Sequence, residues 1–291
     1  MSKTDVSRNI HFVVLLKIFK LEVTKESIMS NMEEIIQALQ GYKPENKKRW
    51  IDSTTGWQNL TEIPDDYSKK VIDGIKDFFD VPENNEENKS RTKITLVKKN
   101  EKVWFYREEE ALERLICLFN DDCSSQYSLG QKAKESVDIV ISRGGKRAFI
   151  ELKPWDSGNS PMFGVVELLK NYFLCSDNKN ITELIFLAPK EYFEKYTVKG
   201  SWVNFFEFVD NANEQLNGRT TLKVKYIDLS KQEFETSVQS IHINESEWIK
   251  KETSQYTERL TIDLSEQKDC FKSIQDKLIF KDFTAESFNE F

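Results

Sequence analysis

The chain has 291 residues, with 42 basic and 49 acidic side chains and a net charge of −7. This length suits one large domain or two ordinary ones. The acidic total excludes a protein that coats nucleic acid through a general basic surface. Local basic rims are still compatible with it, and the candidates are residues 43–49, 89–102 and 143–147, although charge runs are often solvated surface.

The cysteines and the apolar stretches both indicate a cytoplasmic protein. The four cysteines are Cys117, Cys123, Cys175 and Cys270. They form no C-x-x-C pair and no metal-ligand spacing, which favours reduced, buried thiols. The longest apolar stretch near the N-terminus, residues 10–19, is too short to span a bilayer and has no cleavage site after it. We therefore expect no membrane partner.

The N-terminal part of the chain predicts one strand and two helices. The strand covers residues 10–19, the first helix covers residues 25–40, and the second helix starts near Pro64. Residues 81–93 are polar, which is typical of a linker or loop. We assign residues 1–90 to an N-terminal α+β region that selects the substrate or contacts a partner.

From about residue 94 the pattern changes to alternating strands and helices. The predicted elements are strands 94–97 and 103–106, helix 107–119, strands 125–129, 136–142 and 147–154, helix 161–175 and strand 183–189. The order helix, three strands, helix, strand is typical of an α/β sandwich.

The rest of the chain predicts two further helices, a strand and an apolar C-terminal segment. The helices are residues 191–196 and 201–216, and the strand is residues 220–230. The final segment has apolar residues at rough helical spacing, and its phenylalanines are expected to dock on the core. We assign residues 91–235 to a core and residues 236–291 to a C-terminal extension that packs on it.

A carboxylate and a lysine end one of the apolar strands. The spelling [DE]-x-K occurs five times, about as often as chance predicts, and four of the occurrences lie in polar surroundings. Only Glu151-Leu152-Lys153 ends an apolar run. Because a buried carboxylate costs roughly several kcal/mol unless it is neutralised, paired or metal-bound, Glu151 is a candidate site residue.

The Gly144-Gly145 dipeptide sets the register of the hairpin that contains this motif. A tight two-residue turn pairs Arg143 with Lys146, and the same register puts Asp138 directly opposite Glu151. Facing residues have Cβ atoms about 4.5–5.5 Å apart, where like charges repel. A divalent cation would turn that repulsion into chelation. A shift of one residue in the turn would instead place the two carboxylates on opposite faces.

Two facing carboxylates beside a lysine suit metal-dependent hydrolysis of a phosphodiester. Mg²⁺ is typically held by one or two carboxylates, several waters and the substrate phosphate. It lowers the pKa of an attacking water and offsets charge on the phosphate. Lys153 projects from the same face as Glu151 because side chains alternate along a strand. Its ammonium would orient the water or stabilise the transition state.

With these residues in this order of elements, the chain resembles the PD-(D/E)XK nuclease superfamily over roughly residues 105–190. The resemblance implies an α/β, restriction-endonuclease-like core: a helix, a three-stranded meander, a helix and a strand, with a mixed central sheet flanked by helices. It also implies a Mg²⁺- or Mn²⁺-dependent endonuclease that leaves the phosphate on the 5′ side. DNA is the expected substrate rather than RNA.

The resemblance assigns roles to individual residues. Asp138 and Glu151 would be metal ligands, the backbone carbonyl of Leu152 a further ligand, and Lys153 the catalytic lysine. Val137 stands where the family's nominal proline would be, which is a common variation. Asp138, Glu151 and Lys153 are therefore the predicted catalytic residues.

Glutamates on the two flanking helices are further candidates. Families of this type often add a metal ligand from the first helix, and Glu109 fits best because apolar residues follow it at +3, +6 and +7. Glu113 is the second choice. Glu167 on the following helix is another candidate, although we favour a surface or packing role for it.

The nucleic-acid contacts are assigned to the tip of the hairpin. Arg143, Lys146 and Arg147 supply positive charge there, and residues 156–161 form a plausible substrate-facing loop. The sequence also leaves open a homodimer or a partner subunit.

Two rival interpretations belong to other classes. A nuclease-like fold could have lost catalysis and act as a nucleic-acid-binding or protein-interaction module, but the sequence mark of that change would be loss of Asp138, Glu151 or Lys153. The motif could also be accidental in an α/β interaction protein.

The sequence lacks the motifs of several other enzyme classes. It has no P-loop, no G-x-G-x-x-G and no G-x-S-x-G motif, and only two isolated histidines.

Overall fold

The structure is a computed structural model that describes residues 92–129, 136–175, 178–195, 201–216, 218–251, 253 and 255–284. The predicted strand and helices of residues 1–80 lie outside these ranges, as do the basic run 43–49 and most of the predicted linker. The division of the chain at residues 90 and 235 stays a prediction.

The described strands and helices follow the predicted order over the middle of the chain. The strands are β1 (Lys93–Lys99), β2 (Lys102–Phe105), β3 (Cys123–Ser128), β4 (Ser136–Arg143), β5 (Lys146–Leu152), β6 (Ile181–Pro189), β7 (Thr221–Ile227), β8 (Ile249–Lys250), β9 (Glu258–Asp263) and β10 (Lys281–Asp282). The α-helices are α1 (Glu108–Leu118), α2 (Pro161–Leu174), α3 (Lys190–Glu194), α4 (Ser201–Leu216) and α5 (Lys231–Ser237).

The strands form two sheets. The larger one has six strands in the order β10-β7-β6-β5-β4-β3, in which β3, β4 and β5 are antiparallel and β5, β6 and β7 are parallel. The smaller one has four antiparallel strands in the order β2-β1-β9-β8. The expected α/β class, with a mixed sheet flanked by helices, is confirmed.

Apolar side chains cover both faces of the six-stranded sheet. On one face, Phe149 and Phe186 pack with residues of α2 and α4. Gly164 lets α2 approach β6 closely, because a Cβ atom at this position would lie 2.2 Å from the Phe186 ring. On the other face, Leu112 of α1 and Phe271 pack against β4 to β6. Strand β5 therefore lies inside the fold, between β4 and β6.

The hairpin of β4 and β5 has the predicted register. Arg143 pairs with Lys146, and the ladder continues to Ile139 opposite Ile150. Gly144 and Gly145 have φ values of 56° and 77°, which glycine adopts without strain and which a two-residue primed turn requires. The turn therefore adds no extra residue to the ladder.

The C-terminal part of the chain contributes to both sheets. Strand β9 pairs with β1, and β10 pairs with β7. The apolar segment Leu264–Leu278 forms 3₁₀ turns rather than the expected α-helix, and it buries Phe271 and Leu278. Phe283 is buried as predicted, while the last phenylalanines of the chain lie outside the described residues.

The cysteines are free, and three of them, Cys117, Cys123 and Cys175, are buried while Cys270 is half-buried. No helix in the described part of the chain is long and apolar enough to cross a membrane.

Candidate active site at the ends of β4 and β5

Asp138 and Glu151 come together where the ladder of β4 and β5 ends. The ladder ends with the pair Ile139 and Ile150, so the next position along the same register places Asp138 beside Glu151. The backbone N–H of Leu152 donates a 2.8 Å hydrogen bond to Oδ2 of Asp138. The carboxylate of Asp138 is therefore fixed by the backbone of β5.

Lys153 is buried against two carboxylates. Its side chain is 7% exposed, and Nζ lies 2.6 Å from Oε1 of Glu151 and 2.9 Å from Oε2 of Glu167. Its backbone N–H donates a 3.0 Å hydrogen bond to the carbonyl of Leu187 on β6. The lysine and Glu151 share one face, as the alternation of side chains predicts.

Glu167 of α2 belongs to this cluster. The sequence favours a surface or packing role for this residue. Its carboxylate forms a 2.9 Å ion pair with Lys153, and its role stays a prediction. The close approach of α2 to the sheet at Gly164, one helical turn earlier, brings Glu167 within reach.

Glu113 reaches the site from α1. Only 1% of the residue is exposed, and its Oε2 atom accepts a 2.6 Å hydrogen bond from Nε2 of Gln126 on β3. Gln126 in turn accepts a 2.9 Å hydrogen bond at Oε1 from the Ser136 hydroxyl. Its φ of 53° is unusual for a residue with a side chain. It stands between the pairs that flank Asp138 on β4.

Glu109 is half-buried one helical turn before Glu113 on α1. Burial raises its pKa, the Lys153 ammonium opposes that shift, and the Glu167 charge adds to it. The charge of Glu109 also acts on Asp138. The structure thus brings Glu109 and Glu113 to the same cluster, and the choice between them as a metal ligand stays a prediction.

Burial of several carboxylates together shifts their pKa values upward. Burial raises the pKa of Asp138 to about 7, against the opposing effect of Lys153, and Glu109 adds to the rise. Burial and the charge of Asp138 raise the pKa of Glu113 to about 9. The same two causes raise the pKa of Glu151 well above its ordinary value. These three carboxyl groups are therefore harder to ionise than exposed ones.

Lys153 and Glu167 form an ion pair in which each group favours the charged form of the other. Burial alone would lower the pKa of Lys153, but Glu151 and Glu167 outweigh it and raise the pKa well above the ordinary value. Burial likewise opposes ionisation of Glu167, yet Lys153 and Lys170 lower its pKa. Lys153 is therefore a fixed cation at neutral pH.

The donor set fits a sparsely held divalent cation rather than a preformed cage. Among the described residues, no group of three or more histidine, cysteine, aspartate or glutamate side chains is placed to hold a metal ion. Asp138 and Glu151 supply two carboxylates on adjacent strands. Two carboxylates, with waters and a substrate phosphate, are the usual protein contribution to a Mg²⁺ site.

A cleft of about 600 Å³ opens beside the cluster. It is lined by Trp104, Phe105, Tyr106, Arg107, Glu108, Glu109, Glu110, Glu113, Gln126 and Pro154. Two of these residues, Glu109 and Glu113, belong to the carboxylate cluster, and Pro154 directly follows Lys153. A substrate in the cleft would therefore lie next to the candidate catalytic residues.

The predicted nucleic-acid contacts lie at the other end of the hairpin. Arg143 is five residues from Asp138, which corresponds to about 17 Å along a strand, and its Nε atom lies 2.5 Å from Asp122. The Arg147 guanidinium lies 5.8 Å from the centre of the Tyr127 ring. Lys146 is exposed beside them. The structure does not bring these three residues to the carboxylates.

The sequence analysis did not identify Gln126, Tyr106 or Arg107 as site residues. Gln126 is a polar residue in a short strand, and no local pattern indicates its positive φ. The sequence predicts Tyr106 as the end of a strand and Arg107 as the start of a helix. Their position in the cleft depends on how the hairpin of β1 and β2 lies against α1.

Comparison of the chain with protein-family models, with curated proteins and with solved structures finds no match. The assignment of a function therefore depends on the chemistry of the site.

Proposed function

We propose that the protein is a Mg²⁺- or Mn²⁺-dependent endonuclease of the PD-(D/E)XK type, with a restriction-endonuclease-like core and nucleic acid, preferentially DNA, as its substrate. The observation that carries the proposal is the meeting of Asp138, Glu151 and Lys153 in the fold. They lie where two paired strands end, beside an open cleft.

Asp138 and Glu151 are the residues that would hold the metal ion. A backbone hydrogen bond from Leu152 fixes the Asp138 carboxylate, and burial is the main cause that raises the pKa of both groups. The backbone carbonyl of Leu152 is the further ligand implied by the family resemblance. When bound, the ion supplies Lewis-acid charge at the phosphate and an acidified water.

Lys153 acts as a cation and hydrogen-bond donor. The charges of Glu151 and Glu167 outweigh burial and raise its pKa, which favours the protonated form of Nζ. An ammonium held on a buried strand can donate to a phosphate oxygen and stabilise the charge that develops there. The ion pairs with Glu151 and Glu167 keep it oriented before the substrate arrives.

The hydrogen bond between Gln126 and Glu113 positions the carboxyl group that α1 contributes to the site. The carboxyl of Glu113 has a pKa of about 9, so it holds a proton at neutral pH until a cation neutralises the cluster. The hydrogen bond from Gln126 fixes which way this carboxyl points. Together they orient the acidic wall of the cleft toward Asp138.

The test is cleavage of plasmid DNA, single-stranded DNA and structured RNA with Mg²⁺ or Mn²⁺. Lys153→Met and Asp138→Asn should each lower the rate at least about 100-fold while the far-ultraviolet spectrum stays unchanged. Lys179→Met is the matched control, since Lys179 is exposed and belongs to another [DE]-x-K spelling. Cleavage that survives both substitutions, or a folded wild type that cleaves none of the substrates, would overturn the proposal.

A further inference from the structure

An exposed aromatic ring lies at the mouth of the cleft. Tyr106 is 39% exposed and directly follows β2, where its backbone N–H donates a 2.9 Å hydrogen bond to the carbonyl of Thr95 on β1. Trp104, two residues earlier, lines the same cleft. Because side chains alternate along a strand, Trp104 and Tyr106 lie on the same face, whereas Phe105 packs into the core.

Two arginines make cation–π contacts with the Tyr106 ring. The Arg259 guanidinium of β9 lies 5.5 Å from the ring centre, and that of Arg107 lies 6.0 Å away. Arg259 is also held by a 3.4 Å hydrogen bond from Nη2 to the Thr95 hydroxyl. Tyr256 packs edge-on against the Tyr106 ring at 5.6 Å. The ring therefore sits in a fixed orientation with positive charge beside it.

This surface continues into the carboxylate cluster. The cleft that Trp104 and Tyr106 line also contains Glu109 and Glu113. Two acidic residues near the arginines are ion-paired, one of them with Arg107 itself, which offsets part of the Arg107 charge. Glu110 lies 3.6 Å from Arg107 and is also paired with Arg114, and Glu108 lies 3.7 Å from Lys231. The positive charge of Arg259 reaches the ring from β9, which pairs with the other side of β1.

We propose that Tyr106 and Trp104, with Arg107 and Arg259, form a stacking platform for the bases of single-stranded nucleic acid. This inference rests on the proposed function and deepens it by naming the substrate class. An exposed ring gains by stacking on a base, and arginines beside it meet the adjoining phosphates. A base inside a duplex has both faces covered by its neighbours, so it offers nothing to Tyr106. The platform therefore favours unpaired strands.

The test is the anisotropy of a labelled oligothymidine and of an abasic strand of equal length, measured with EDTA so that cleavage does not interfere. Wild type should bind the oligothymidine about tenfold more tightly than the abasic strand. Tyr106→Ala should lose that factor on the oligothymidine and nothing on the abasic strand, while Tyr106→Phe, which keeps the ring, should bind like wild type. Ile279→Ala, which removes another exposed apolar side chain beside β10, should also have no effect.

Equal binding of the two strands by wild type would overturn the platform, as would oligothymidine binding that is undetectable or unchanged by Tyr106→Ala. If Tyr106→Ala does not fold, the comparison of the two strands with wild type decides.

Failure of the stacking platform is distinct from failure of the nuclease proposal. Metal-dependent cleavage of duplex DNA with no preference for bases would remove only the platform. Base-dependent binding without cleavage under Mg²⁺ or Mn²⁺ would remove only the nuclease.

Discussion

The backbone N–H of Leu152 donates a 2.8 Å hydrogen bond to Oδ2 of Asp138. A carboxylate on β4 is thus held by the backbone of β5, at the point where the ladder between these strands ends. The same stretch of β5 carries Glu151 and leads into Lys153. One hairpin therefore positions the two carboxylates and the lysine of the candidate site.

Divalent cations should stabilise the folded protein through this hairpin. A ligand that binds only the folded state raises the free energy of unfolding, by about 2.7 kcal/mol at 100 times its Kd. We expect Mn²⁺ to raise the Tm of wild type and to have little effect on Asp138→Asn or Glu151→Gln. Thermal unfolding across a Mn²⁺ titration measures this effect, with Glu266→Gln as an acidic control elsewhere. An equal rise of Tm in all four proteins would argue against the site.

Glu113→Gln should stabilise the metal-free protein at alkaline pH. The folded-state pKa of Glu113 is raised from 4.5 to about 9. Stability from its bound proton is therefore full below about pH 4.5 and is lost as the pH rises toward about 9. The amide carries no charge and can still accept from Gln126. In urea unfolding with EDTA, the variant should exceed wild type by at least about 1 kcal/mol near pH 8.

The advantage of Glu113→Gln should shrink near pH 5, because this pH is close to the ordinary pKa of 4.5 and the unfolded chain also keeps part of this proton. The same urea experiment at the two pH values supplies the comparison. A stability difference that does not change with pH would mean that Glu113 is ionised in the folded protein.

Gln126→Ala should destabilise the protein, because it removes the donor to Glu113 and leaves a side chain at a φ of 53°. We expect a loss of about 1–3 kcal/mol. Gln126→Gly is the informative control, since it removes the same hydrogen bond but relieves the backbone. Urea unfolding should therefore rank wild type first, Gln126→Gly second and Gln126→Ala last. If Gln126→Ala were as stable as wild type, the hydrogen bond from Gln126 to Glu113 would contribute nothing to the free energy of unfolding.

Lys153→Met should destabilise the metal-free protein by about 3 kcal/mol near neutral pH, because it leaves Glu151 and Glu167 without their cation. The loss should be smaller near pH 5, where protons neutralise carboxylates whose pKa values are raised. Urea unfolding of Lys153→Met and of the exposed control Lys179→Met checks both points. An identical loss in the two variants would show that Lys153 contributes no buried ion pair.

Much of the hairpin and its charged residues could be predicted because the signals are local. Two glycines specify the turn, alternation then assigns the faces of Asp138, Glu151 and Lys153, and apolar neighbours mark the strands as buried. The three residues meet as that register requires. Their roles in metal binding and catalysis stay predictions.

Other parts of the site depend on contacts between distant segments. Helical phase places Glu167 on a face of α2 but does not say how α2 lies on the sheet, which is set by close packing at Gly164. The positive φ of Gln126 has no sequence signal. Strand β9 pairs with β1 across more than half the chain, and a polar alternating segment such as ERLTID does not indicate its partner. The platform around Tyr106 depends on that pairing, since β9 supplies Arg259.

The initial rate of DNA cleavage as a function of Mg²⁺ concentration tests the central claim most directly, with wild type compared with Asp138→Asn. If Asp138 and Glu151 hold the ion that cleavage requires, the wild-type rate is zero in EDTA and saturates with Mg²⁺, while Asp138→Asn stays at least about 100-fold slower throughout. Cleavage by wild type in EDTA, or identical Mg²⁺ curves for the two proteins, would contradict the account.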